Sequence, residues 1–139
     1  MRVVLDTNVI VSAMVSPNGN CASILAAAGV GKLRIIIDER ILLEYATVLH
    51  RPNLKLNPAK VELILAQIRD MGERVTAPPA GIHLPDETDV KFVEVALAAV
   101  ADCVVTGNTR HFPAKACKGV RILKPAQFLA RLADEMPRP

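Results

Sequence analysis

The sequence is poor in cysteine, which excludes two common ways of stabilising a small fold. Only three cysteines occur among 139 residues, and their odd number and wide spacing match neither a disulfide framework nor a zinc site. Cys103, in the apolar run Asp102-Cys103-Val104-Val105, is predicted to be buried. Because 51% of the residues are hydrophobic, a packed core can stabilise the chain without such cross-links.

Long apolar runs are also lacking. No run approaches the ~18 residues that a membrane-spanning helix needs. Arg2 and Asp6 interrupt the N-terminus before the core of a signal peptide could form. The turn-rich segment Ala77-Pro78-Pro79-Ala80-Gly81 is too short for a linker between domains. We therefore expect a single cytoplasmic domain over residues 1–139, with no membrane contact.

Aromatic residues make up only 3% of the chain, with three Phe, one Tyr and no Trp. Stacking on bases therefore cannot be the main way in which this protein would hold a nucleic acid. The net charge is +3, from 17 Lys and Arg against 14 Asp and Glu. If the four acids Asp6, Glu44, Asp86 and Asp89 converge in one site, the remaining surface is clearly basic. A basic surface favours a polyanionic partner that is bound through its backbone.

Short apolar runs alternate with helical patterns along the whole chain. Strands are predicted at 2–5, 33–37, 73–76, 103–106 and 120–123, and helices at 20–30, 39–51, 58–71, 89–101 and 125–136. The runs 2–5 and 103–106 are mostly apolar without alternation, which is typical of strands buried in a parallel sheet. The pattern predicts an α/β fold, a three-layer α/β/α sandwich around a mainly parallel central sheet.

Two acidic residues have both a functional and an ordinary structural explanation. Asp6 directly follows the first predicted strand, and ligands of open parallel sheets bind beyond the carboxyl ends of the strands. The alternative is that Asp6, together with Asn8, caps a following helix. Glu44 lies at the border of the buried stripe of its helix, where a surface ion pair with an arginine is the ordinary explanation.

Asp86 and Asp89 lie where the helix 89–101 is predicted to begin, and capping and the helix dipole favour acids there. Asp89 also shares the apolar face of that helix, with Val93, Ala96 and Val100. We therefore expect Asp89 to be buried. A buried carboxylate needs a partner charge, and Mg²⁺ or Mn²⁺ binds such hard oxygen ligands.

Thr106, Gly107 and Asn108 follow the predicted strand 103–106, again at a carboxyl end. Thr106 and Asn108 offer neutral polar groups to a water or a phosphate, although a simple strand-to-helix turn is the more ordinary explanation. His111 is predicted to be a turn histidine without a metal role, because no second ligand follows at a typical spacing.

The combination of these residues is more informative than any one of them. Acids from three separated stretches are predicted to reach one edge of one sheet, as in the divalent-metal site of a phosphodiesterase. Clustered carboxylates repel one another, and their pKa values rise unless a cation compensates. The sequence therefore favours a divalent-metal site formed from the acids Asp6, Glu44, Asp86 and Asp89.

At this point the chain resembles the PIN-domain ribonucleases, especially the VapC-like toxins of toxin-antitoxin pairs. The resemblance covers nearly the whole chain. It rests on four segments in this order, namely Val3-Val4-Leu5-Asp6-Thr7-Asn8-Val9, Leu43-Glu44-Tyr45 with Leu49-His50-Arg51-Pro52, Asp86-Glu87-Thr88-Asp89-Val90-Lys91-Phe92, and Val104-Val105-Thr106-Gly107-Asn108 with His111-Phe112-Pro113.

The resemblance implies that Asp6, Glu44 and Asp89 are the catalytic and metal-binding carboxylates, with Asp86 as a nearby acid. It also implies that Asn8, Asp86, Thr106 and Asn108 position the substrate or support the ligands. Many family members carry an aspartate where this chain has Asn108. An asparagine brings no negative charge, so one metal ion is better supported here than two.

The activity implied by the resemblance is hydrolysis of RNA phosphodiester bonds with Mg²⁺ or Mn²⁺, which polarises the phosphate and activates the attacking water. The implied partners are RNA, a small antitoxin protein and a second copy of the chain. Ile64, Leu65 and Ile68 could form part of such a homodimer surface, although residues of this kind more often belong to the core.

Two other interpretations remain. Phosphoryl-transfer enzymes of the haloacid dehalogenase class also begin with a strand that ends in an aspartate, but they need a second Asp where this chain has Asn8. The other interpretation is a PIN-like domain that binds RNA or an antitoxin and is catalytically weak or inactive. Asn108 supports it, because many family members carry an aspartate at this position.

Overall fold

A computed structural model describes residues 1–135 of the chain. The strands are β1 (Arg2–Leu5), β2 (Arg34–Ile37), β3 (Glu73–Arg74), β4 (Cys103–Val105) and β5 (Ile122–Leu123). The helices are α1 (Thr7–Val15), α2 (Asn20–Gly29), α3 (Glu39–Leu49), α4 (Pro58–Met71), α5 (Val90–Ala99) and α6 (Pro125–Glu135). Short 3-10 turns occur at Pro52–Leu54, Glu87–Asp89, Thr109–His111 and Ala114–Ala116. The last residue of the predicted helix 125–136, Met136, lies outside the described residues.

Over the described range, the strands form one five-stranded sheet in the order β3-β2-β1-β4-β5, and every neighbouring pair is parallel. With six helices around this sheet, the predicted three-layer α/β/α fold is confirmed. Because the strands are parallel, all their carboxyl ends lie at one edge of the sheet. Asp6, Asp38 and Thr106 directly follow β1, β2 and β4 at that edge.

The central strands form the core of the protein. Val3, Val4 and Leu5 of β1 have no exposed surface, because helices cover both faces of the sheet. Cys103 is fully buried, as predicted, and all three cysteines are free thiols. The buried hydroxyl of Tyr45 donates a hydrogen bond to the carbonyl of Leu5, which fixes α3 against the end of β1.

Helix α1 was not among the predicted helices. A helix after Asp6 was considered only in the alternative explanation that Asp6 is a helix cap. Its residues are rich in β-branched side chains, which lower helix propensity. The helix is stabilised by tertiary packing, since Val9, Ile10 and Ala13 are buried and α1 contacts both α2 and α3. Packing of an apolar face commonly outweighs propensity in this way.

Two further expectations about apolar residues need correction. Helix α5 ends at Ala99, and Val100 follows in the left-handed conformation (φ 51°) with 83% of its surface exposed, so it does not share the buried face. Leu65 and Ile68 of α4 lie in the core, and Ile64 is half-buried. Leu65 and Ile68 are therefore not available for a dimer surface.

Among residues 1–135, no single helix is long and apolar enough to cross a membrane. Only α1 and α2 taken together reach the necessary length and composition, and the chain bends by 101° between them.

The connection between β3 and α5 is held in place by an ionic network around the buried carboxylates of Asp38 and Glu94. The backbone N–H of Ala80 donates to Oε2 of Glu94 at 2.9 Å, and Arg40 donates to Oε1 of Glu94 at 2.8 Å. Arg40 also donates to Asp38 at 2.8 Å, and Asp38 caps α3 by accepting from the N–H of Ile41. The network fixes the segment that leads into Asp86.

The packing around two glycines predicts opposite effects of the same substitution. A Cβ atom on Gly72 would lie 2.6 Å from the carbonyl oxygen of Ile68 and 2.7 Å from Cδ1 of Ile37. Gly72→Ala should therefore lower the free energy of unfolding by about 2 kcal/mol. A Cβ on Gly29, the exposed last residue of α2, would meet nothing within 4 Å. Gly29→Ala should raise the free energy by about 0.5 kcal/mol, and urea denaturation of both variants measures the difference. Equal effects at the two positions would contradict the packing described here.

Candidate metal and catalytic site

Asp6 lies at the carboxyl end of β1 and is only 6% exposed. The hydroxyl of Thr106, at the end of β4, donates to Oδ2 of Asp6 at 2.7 Å. Asp6 does precede a helix, but its carboxylate makes no capping hydrogen bond to α1. Burial raises the pKa of Asp6 and the bond from Thr106 opposes that shift. The capping explanation therefore does not account for this buried acid.

Glu44 reaches the same edge from α3, with 24% of its side chain exposed. Both of its oxygens are occupied, since the Thr7 hydroxyl donates to Oε2 and the ammonium of Lys91 donates to Oε1 at 2.6 Å. The expected arginine partner is thus a lysine, while Arg40 pairs with Asp38 and Glu94 instead. Lys91 was not predicted, because nothing in its local sequence indicates contact with a residue 47 positions away.

Asp89 ends the 3-10 turn before α5 and is 8% exposed, which confirms its predicted burial. Its pKa is raised to about 6, mainly by burial and then by the charges of Asp6, Asp86 and Glu44. The imidazole of His111, with Nδ1 at 3.2 Å from Oδ2, acts in the opposite direction. Four carboxylates are thus close enough to influence one another, as the sequence predicts for a cation site.

Within residues 1–135, Asp86, Asp89 and His111 form the one group of three possible metal ligands whose ligand atoms lie close together. One ligand atom from each lies within 4.8 Å of the other two. Asp86 is exposed, and its pKa is lowered by hydrogen bonds from the hydroxyl and N–H of Thr88, at 2.6 and 2.9 Å. The two carboxylates are hard oxygen ligands of the kind that Mg²⁺ and Mn²⁺ prefer, whereas an imidazole nitrogen is more typical of later transition metals.

His111 was expected to be a turn histidine without a metal role, and it does lie in a 3-10 turn, at Thr109–His111. Its contact with Asp89 joins the turn after β4 to the start of α5. No spacing in the sequence indicates this approach, because both segments reach the same edge only through the sheet. The metal roles of Asp6, Glu44 and Asp89 themselves stay predictions.

The neutral residues predicted for the site hold its loops together. The N–H of Gly107 donates to Oδ1 of Asn8 at 3.1 Å, and the N–H of Asn108 donates to the Thr106 hydroxyl at 3.0 Å. Thr106 is fully buried, whereas Asn8 and Asn108 are half-buried. The turn after β4 is therefore fastened to the first turn of α1, next to Asp6.

Comparisons with known proteins identify both the fold and the family of this chain. A search by sequence finds no significant match among curated proteins. Solved structures do match, with TM-scores of 0.59 for VapBC2 from Rickettsia felis bound to a DNA fragment from its promoter, 0.60 for VapBC-1 from nontypeable Haemophilus influenzae and 0.56 for FitAcB from Neisseria gonorrhoeae. The identities are 18%, 14% and 18%, over 89%, 91% and 89% of this chain and 98%, 99% and 98% of the matched chains.

At these identities the structural matches establish the fold alone. The family is established by a sequence profile of the PIN domain, which matches residues 2–110 and so contains each of the predicted site residues. The resemblance stated from the sequence is confirmed: this chain belongs to the PIN domain family.

Proposed function

We propose that this protein is a ribonuclease that hydrolyses RNA phosphodiester bonds with Mg²⁺ or Mn²⁺. The observation that carries the proposal is the buried carboxylate of Asp89, whose pKa is raised to about 6 beside three other acids. Perturbed groups of this kind, gathered at the carboxyl edge of a parallel sheet, are characteristic of functional sites.

The residues present fit a divalent ion. Asp89, Asp86 and His111 already offer three donor atoms within 4.8 Å of one another, and Asp6 faces them from β1. The chemistry that such an ion supplies when bound is polarisation of the phosphate and activation of a water. Asp6, Glu44 and Asp89 are the proposed catalytic carboxylates, and Asp6 and Asp89 are the proposed core of the ion site.

The other residues prepare the site. Thr106 holds the carboxylate of Asp6 in one orientation, and Thr7 and Lys91 do the same for Glu44. Asn8 and Asn108 line the same edge and can orient a phosphate or a water through their amides. Because such side chains are already fixed in position, they need little rearrangement when charge develops in the transition state. The basic surface outside the site would bind the RNA backbone.

The proposed partners are an antitoxin and a second copy of the chain. Similarity to the fold of VapBC2 and VapBC-1 supports the antitoxin, because those structures are of toxin-antitoxin pairs. The neighbouring reading frame should then encode a small DNA-binding protein. Its absence would weaken the proposed toxin role and leave the proposed ribonuclease activity unaffected.

A second candidate function is a catalytically inactive module that binds RNA or an antitoxin. Asn108 favours it, because this position follows the Thr-Gly pair at the site and carries no charge. The two candidates differ in one observable property, which is metal-dependent cleavage.

The purified chain should cut single-stranded RNA in Mn²⁺ or Mg²⁺ and stop when EDTA is added. Asp6→Asn and Asp89→Asn should each reduce the rate to about 1% or less, since a lost ion ligand removes several kcal/mol of transition-state stabilisation. Gel assays on a labelled RNA measure the rates.

The matched control is Asp70→Asn, which removes an exposed carboxylate of α4 and should leave cleavage unchanged. If the wild-type chain, free of any antitoxin, cuts no RNA in Mn²⁺ although it is folded, the binding-module interpretation is the correct one.

The raised pKa of Asp89 also predicts an effect on stability in EDTA. The pKa rises on folding from its ordinary value of 3.8 to about 6, so ionised Asp89 destabilises the fold above pH 6 and this cost disappears towards pH 4. Asp89→Asn should therefore raise the free energy of unfolding by about 1 to 2 kcal/mol at about pH 8. The gain should vanish at about pH 4, as measured by urea denaturation at both pH values. If Asp70→Asn stabilises the fold by the same amount, or if the gain from Asp89→Asn does not depend on pH, the raised pKa of Asp89 is not the cause of that gain.

A further inference from the structure

Lys91 is held unusually firmly for a lysine at the edge of a site. Only 13% of its side chain is exposed, and its ammonium donates to Oε1 of Glu44 at 2.6 Å. The same nitrogen donates to the carbonyl of Thr88 and lies 5.0 Å from the centre of the Phe92 ring. Its positive charge is therefore fixed in position beside the carboxylates and is largely removed from solvent.

The position of this charge determines what Glu44 can do. Thr7 and Lys91 each donate to one oxygen of Glu44, so an ion at Oε1 would have to share that oxygen with an ammonium of like charge. The three ligand atoms that are gathered for a cation belong instead to Asp86, Asp89 and His111. An ion that recruits Oε1 of Glu44 is therefore repelled by the ammonium that is already bound there.

We propose that Lys91 is a positioning residue that limits the site to one divalent ion, by binding Glu44 and supplying a fixed charge where a second ion would otherwise be needed. This inference rests on the proposed metal-dependent function and deepens it. The neutral Asn108 is consistent with it, because the turn after β4 adds no further negative charge for a second ion. Lys91 acts through Glu44 and does not itself touch the RNA in this account.

The inference predicts that removal of the lysine charge tightens metal binding. Lys91→Met frees Oε1 of Glu44 and removes the repulsion between the ammonium and an incoming dication. The affinity for Mn²⁺ should rise at least about tenfold, as expected for one unit charge a few ångströms from an ion in a partly screened site. A second Mn²⁺ per chain, under conditions in which the wild type binds one, is the result that the limiting role of Lys91 requires.

The experiment is a calorimetric titration of the full chain with Mn²⁺ at constant ionic strength, after treatment with EDTA and dialysis. Lys91→Arg keeps the charge and should retain the wild-type affinity and one ion per chain. Lys60→Met removes an exposed charge from α4 and serves as the control for net charge. Lys91→Gln is a second neutral variant in case Lys91→Met does not fold.

A double-mutant cycle tests whether Lys91 acts through Glu44. In the Glu44→Gln background, Lys91→Met should change Mn²⁺ affinity much less than in the wild-type background. Suppose that Lys91→Met and Lys91→Gln bind Mn²⁺ no more tightly than the wild type, while the wild type binds one ion. The role proposed for Lys91 is then wrong, and the proposed metal site is retained. If neither the wild type nor a neutral Lys91 variant binds Mn²⁺, both the lysine inference and the proposed metal dependence are overturned.

Discussion

The parallel pairing of β1 with β2 and β4 determines where each candidate catalytic residue lies. Parallel strands present all their carboxyl ends at one edge, so Asp6 and Thr106 become neighbours although 100 residues separate them. The hydrogen bond between these two side chains then joins the ends of the central strands. Helix α5 packs against this sheet, and α3 contacts α5 and is bonded to the end of β1 through Tyr45. Together they bring Glu44 and Asp89 to the same edge. A sheet with antiparallel pairing would separate these residues by the length of a strand.

The distribution of charge separates a structural cluster from a functional one. Asp38 and Glu94 are both buried, and the guanidinium of Arg40 is bonded to both of them. That network holds α3 and the connection to α5 in place. Asp89 instead meets the half-exposed imidazole of His111, and the charges of neighbouring acids raise its pKa. Uncompensated negative charge is thus concentrated beside Asp89, which is where a cation would bind most strongly.

Much of the fold follows from local sequence patterns. The predicted strand boundaries agree with the structure to within two residues, and α4 occupies the predicted residues 58–71. Helix α1 was missed because its β-branched residues have low helix propensity and its stability comes from contacts with α2 and α3. Val100 was placed on a buried face because a periodic pattern does not show that α5 ends one residue earlier.

The candidate site could be predicted from the sequence less completely than the fold. The acids could be named, because strand ends and an apolar helix face mark Asp6 and Asp89. Their partners could not, since the contacts of Lys91 with Glu44 and of His111 with Asp89 join segments that only the folded sheet brings together. Local patterns determine which side chains are buried, whereas long-range packing determines which charges meet.

Binding of a divalent ion by these carboxylates, at the carboxyl edge of the sheet, can be observed by anomalous diffraction from crystals grown with Mn²⁺. The method locates the ion without reference to activity. We expect one anomalous peak within bonding distance of Asp89, in contact with Asp86 or His111 and facing Asp6. A fully formed crystal structure with no peak there, or with its peak away from Asp89, would contradict it.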